Sequence, residues 1–178
     1  MTPTTVPPHL ILTGLPGSGK STVGAAVAEG TGRRFLDFDQ EIERRAGLTV
    51  AELFRTHGEP AFRALELDLT MELARTGGMV LAPGGGWIAI PGALEQLRPP
   101  GVLVYLRASP EVVLERMGRS RSLRPLLSAP DPLAELRGLL AKREPSYLLA
   151  DHVVDVEHID LQRVISLVMR LAPGFRER

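Results

Sequence analysis

Eight consecutive residues, Gly14-Leu15-Pro16-Gly17-Ser18-Gly19-Lys20-Ser21, spell GxxxxGK[ST]. Glycines let a backbone wrap closely around phosphate oxygens, and amides at a helix N-terminus favour the negative charge. In such a loop the lysine reaches the β- and γ-phosphates and the following hydroxyl ligates Mg2+. Gly17, Ser18, Gly19, Lys20, Ser21 and Thr22 are therefore candidate nucleotide-binding residues. The pattern needs a strand before it and a helix behind it, and the apolar run His9–Thr13 and the following residues supply both.

Three further groups could act on the acceptor of a phosphoryl group. Asp37-Phe38-Asp39 ends a short apolar run, Arg34–Asp37, where sheets of this class place their ligands. Extended backbone sends the two acids to one side, so one carboxylate can serve a metal while the other takes a proton from a hydroxyl. Asp39 also suits a helix N-cap. Gly84-Gly85-Gly86 leaves backbone amides open at close range, or is simply a flexible turn. Arginines outnumber lysines 19 to two, and most must be solvated surface. Arg63 begins a helix with Glu66 three residues on, and Arg143 precedes Pro145, expected to end a helix. An arginine fork binds a carboxylate with two hydrogen bonds, which suits a small acidic substrate. Arg116–Arg124 carries four arginines with no acid before Asp131. It reads as a lid over about residues 117–130 that closes on the phosphoryl group, or as a solvated basic loop.

The elements that must hold these residues follow from periodicity. Short apolar runs at 9–13, 34–37, 79–82, 101–106 and 153–156 alternate with amphipathic stretches, the signature of βαβ units around a parallel sheet. Helices are expected over about 19–30, 39–46, 49–57 (with the capping box Thr49-x-x-Glu52), 61–76, 91–97, 110–117, 131–143 and 160–171. With short linkers and no repeats, residues 1–178 are expected to form one domain, with 1–8 and 173–178 as flexible tails. Zero net charge argues against a nucleic-acid or membrane-surface partner. No apolar run approaches the roughly 18 residues of a membrane span. The Thr/Pro-rich start lacks the features of a signal peptide, and the chain has no cysteine. A cytoplasmic location is the expectation.

The ordered set GLPGSGKST (14–22), DFD (37–39), GEPAFRALE (58–66), PGGG (83–86), RPLL (124–127) and KREPSY (142–147) closely resembles the shikimate kinase family. That resemblance spans about residues 9–156. It implies a three-layer α/β P-loop kinase fold: a five-stranded parallel sheet, helices on both faces, a lid and a substrate-binding segment. It also implies transfer of the ATP γ-phosphoryl group to the 3-hydroxyl of shikimate, with Mg2+, by a monomer. On it, Lys20, Asp39 and Arg124 are catalytic, and Ser21 and Asp37 serve the metal. Asp39, Phe54, Phe62, Arg63, Gly84, Gly85, Gly86 and Arg143 would bind shikimate, with Glu66 holding Arg63 and Arg124 reaching ATP. Trp87 departs from the small residue usual there, and either walls the pocket or packs beneath it. The second lid arginine is Arg116 or Arg119, and the adenine loop near 157–160 is not assigned. A gluconate-type kinase and a catalytically silent sensor on the same fold are the alternatives.

Overall fold

The structure, a computed structural model, describes residues 7–118 and 130–176. Among these, Leu10–Thr13 (β1), Arg34–Asp37 (β2), Met79–Ala82 (β3), Val102–Arg107 (β4) and His152–Asp155 (β5) form a sheet in the order β2-β3-β1-β4-β5. Every pairing is parallel, with Leu10 opposite Val80 on one side and Val102 on the other. β1 and β3 are buried at every position. Because alternate side chains point to opposite faces, such strands need cover on both sides, which is why they read as unbroken apolar runs.

Helices supply that cover. Lys20–Thr31 (α1) lies against β2, β3 and Leu161–Leu171 (α7), while Pro110–Gly118 (α5) packs on Pro132–Tyr147 (α6). Phe38–Ala46 (α2) and Ala93–Leu97 (α4) both meet Val50–Leu73 (α3), which the Thr49–Glu52 capping box opens as expected. The two helices expected over 49–57 and 61–76 run on as α3 with a break at Gly58, whose φ of 80° and ψ of 167° are not helical. Glycine alone adopts that conformation freely, so the break is written in the sequence.

Two boundaries beside the site differ from expectation. Pro145 does not end α6, which continues to Tyr147. A proline there removes one helical hydrogen bond, and burial of Tyr147 two residues on offsets the loss. Asp37, not Asp39, caps α2, accepting the Gln40 amide at 3.3 Å. Phe38 and Asp39 are thus helical, and extended alternation is not what directs the two acids. Both ends of the described chain are fastened by Arg33, which donates to the carbonyls of Pro8 (2.9 Å) and Pro173. The tails expected at 1–8 and 173–178 therefore begin at held residues.

The chain passes from β1 out to β2, and from β3 across β1 to β4. The crevice beyond the C-terminal ends of β1 and β3 is the switch point, where open parallel sheets bind their ligands. The glycine loop after β1, Asp37 at the end of β2 and the glycines after β3 all arrive there.

Candidate active site

The phosphate loop joins β1 to α1. Gly17 and Gly19 hold φ of 85° and 100°, and Gly19 is the N-cap of α1, so the loop depends on glycine to curl back onto the helix. Lys20 folds over it, donating from Nζ to the carbonyls of Gly14 and Leu15, both at 3.0 Å. The lysine charge is thus held across the mouth of the loop. The Ser18 hydroxyl is buried beneath without a hydrogen-bond partner, and Thr22 is exposed on α1.

Ser21 Oγ donates to Asp37 Oδ2 at 2.5 Å, which brings both metal candidates together although they are 16 residues apart. A hydroxyl and a carboxylate are hard oxygen donors, the kind Mg2+ takes. Among the described residues no group of three or more His, Asp or Glu side chains forms a metal cage. Mg2+ fits such a sparse site because it keeps several waters and binds nucleotide phosphates beside one or two protein oxygens.

Asp39 lies in the first turn of α2 with Oδ1 buried and unpartnered. Burial pushes its carboxyl above the usual range and Asp37 adds to this, while Lys20 and Arg63 pull it down. Asp39 Oδ1 and Glu66 Oε1 both face Gly84, and the charges of Lys20 from the phosphate loop and of Arg63 from α3 both reach Asp39. A buried carboxylate oxygen with no donor is a ready acceptor for a substrate hydroxyl.

The three glycines are not a flexible turn. A methyl group on Gly84 would sit 2.7 Å from Glu66 Oε1 and 3.2 Å from Asp39 Oδ1. On Gly85 it would meet Pro16 at 3.0 Å and the Gly14 carbonyl at 3.2 Å, and on Gly86 it would overlap the Arg63 guanidinium. Each glycine thus lets a different part of the site close in. Tyr147 fixes the loop from the other side, donating to the Gly85 carbonyl at 2.7 Å.

Arg63 donates from Nη1 to Glu66 Oε2 at 2.5 Å and lies 5.5 Å from the Phe62 ring centre. Glu66 is fully buried, and burial pushes its carboxyl up to about 7 against the pull of Arg63 and Arg143. Burial also raises the Tyr147 phenol, against the pull of Arg143 and then of Arg63. Both arginines therefore converge on one region although they are 80 residues apart. Phe54 and Phe62 pack with ring centres 5.0 Å apart beside them.

Trp87 is fully buried, donates to Thr70 Oγ1 at 2.9 Å and meets Phe38 edge-on at 6.3 Å. It packs beneath the glycine loop, and the alternative of a pocket wall falls. Arg116 donates to the Val156 carbonyl at 2.5 Å, and Glu157 accepts the Ser109 amide. Arg124, Arg119 and most of the expected lid lie outside the described residues. Two residues given no role from sequence belong here: Tyr147, one helical turn after Arg143, and Glu59, one turn before Arg63. Spacing was the signal for both.

A family profile described as shikimate kinase matches residues 16–171. The chain belongs to the shikimate kinase family. It is 41% identical over 162 residues to a shikimate kinase of Caldanaerobacter subterraneus subsp. tengcongensis, covering 91% of this chain and 94% of that one. To a shikimate kinase of Thiobacillus denitrificans it is 45% identical over 148 residues, covering 83% and 80%. Among solved structures, the shikimate kinase from Acinetobacter baumannii in complex with shikimate superimposes with a TM-score of 0.85 at 38% identity, covering 94% and 93% of the two chains. A gluconokinase from Sinorhizobium meliloti reaches 0.59 at 23% identity, which shows the fold alone. The shikimate kinase family comprises ATP-dependent kinases, and the five-stranded parallel sheet found here is its architecture.

Proposed function

We propose that this protein transfers the γ-phosphoryl group of ATP to the 3-hydroxyl of shikimate, giving shikimate 3-phosphate and ADP. One observation carries the reading. Asp39, with a buried oxygen free of partners, is reached by the charge of a lysine-bearing phosphate loop and by that of one of two converging arginines. Such a site presents donors to phosphate at one end, a proton acceptor in the middle and cations for a carboxylate at the other.

In this reading Gly17–Thr22 and Lys20 hold the phosphates, and Ser21 and Asp37 hold Mg2+, which when bound neutralises charge on the β- and γ-phosphates. Asp39 accepts the hydroxyl proton as the substrate oxygen bonds to γ-phosphorus and the bond to ADP breaks. Arg63 and Arg143 clamp the carboxylate, the Gly84–Gly86 amides meet the ring hydroxyls, and Phe54 and Phe62 wall the pocket. Arg124 is assigned to the transferring phosphoryl group on resemblance alone. The reading takes the protein to act as a monomer. Among the described residues no helix is long and apolar enough to cross a membrane.

Gly86→Ala tests the close packing. Its methyl group would displace the Arg63 guanidinium, so the shikimate KM should rise about 10- to 100-fold with the melting temperature little changed. An unchanged KM would remove Arg63 from the clamp. The function itself is tested by coupled ADP release with Mg-ATP and shikimate, gluconate or quinate. Shikimate alone should drive turnover, and preference for gluconate would overturn the assignment.

A further inference from the structure

The Arg63 fork is already occupied. Nε and Nη2, the edge that grips a carboxylate side-on, both donate to Glu59 Oε1 at 3.1 and 2.8 Å. Nη1 is taken separately by Glu66. The two acids differ in kind. The Glu66 side chain is wholly buried, whereas that of Glu59 is 57% exposed. Glu59 directly follows the Gly58 break in α3, so the chain enters it at an angle a regular helix would not give.

We propose that Glu59 is a stand-in for the substrate's carboxylate: it closes the Arg63 fork in the free enzyme and yields it to the incoming acid. This rests on the reading of Arg63 as the carboxylate clamp. An exposed ion pair contributes little, so its loss is easily offset by a better-placed carboxylate. Arg63 does not need Glu59 to keep its place, because Glu66, the Phe62 ring and the close approach to Gly86 hold the guanidinium from other directions. Glu59 thereby sets a threshold. A ligand without a carboxylate cannot replace it on the fork, and a carboxylic acid can. It is a specificity-determining residue that acts through Arg63 and leaves the transferring phosphoryl group alone.

Glu59→Gln removes the competing charge while keeping the side chain's shape. The shikimate KM should fall about two- to fivefold, as expected for losing one competing exposed ion pair, with kcat unchanged. For shikimate methyl ester, which carries no charge to place on the fork, kcat/KM should stay the same. Glu59→Ala should behave likewise. A rise in shikimate KM would show that Glu59 merely positions Arg63 and would overturn the proposal. So would an unchanged KM, or an equal gain with the ester. Wild-type protein that fails to turn over shikimate sinks the functional reading and this inference with it. Normal wild-type turnover without improvement in Glu59→Gln sinks the inference alone.

Discussion

Replacing Lys20 by alanine is expected to lower kcat by about 10³-fold, the scale on which a preorganised cation aimed at developing charge acts. Lys20 Nζ is held by the carbonyls of Gly14 and Leu15, so its charge is in place before any nucleotide arrives. Preorganised charge costs no reorganisation in the transition state, which is why its loss falls on kcat. A second effect should accompany the first. Lys20 is one of the groups that pull the Asp39 carboxyl down. Without it the acidic limb of the pH–rate profile should move to higher pH in whatever activity remains. A fall in kcat with no movement of that limb would separate Lys20 from Asp39.

Asp39→Asn should likewise cost about 10³-fold in kcat, since it keeps the shape but removes the proton acceptor. The raised carboxyl of Asp39 makes a further demand on stability. A group whose folded pKa lies above its unfolded value holds its proton more tightly in the native state, so its contribution is present at low pH and lost as pH rises through the raised value. Above that raised value the wild type carries an ionised, poorly solvated Asp39. Asp39→Asn should therefore be more stable than wild type at pH 7, with the gap narrowing towards pH 4 in chemical denaturation. Greater stability beside lost turnover is the mark of a group kept for function. Near-normal kcat in Asp39→Asn would remove it as the base.

Much of this arrangement was legible because its signals are local. β1 and β3 are unbroken apolar runs, each ended by the glycine- or proline-led loop that carries the chemistry, and Gly58 announces its own break in α3. What stayed hidden depends on backbone geometry or on partners distant in sequence. Both Asp37 and Asp39 suit a cap, and only the position of the Gln40 amide selects Asp37. Trp87 beside a glycine loop could face inward or outward, and the Thr70 hydroxyl 17 residues earlier decides it. Pro145 looked like a helix end because the burial of Tyr147 against Tyr105 is a tertiary fact. The glycine triplet looked pliable because the groups that press on it come from Pro16, Arg63 and Glu66. Glu59 was readable as an acid one turn from Arg63, yet nothing in spacing says which edge of the fork it takes.

The proposed reaction transfers phosphate to one hydroxyl of one acid. Phosphorus NMR of a reaction containing the protein, Mg-ATP and shikimate tests it most directly. A single new phosphomonoester signal, coupled to the proton on carbon 3 and growing in step with ADP, is the predicted result. ADP with inorganic phosphate alone, or an unchanged ATP spectrum, would contradict it.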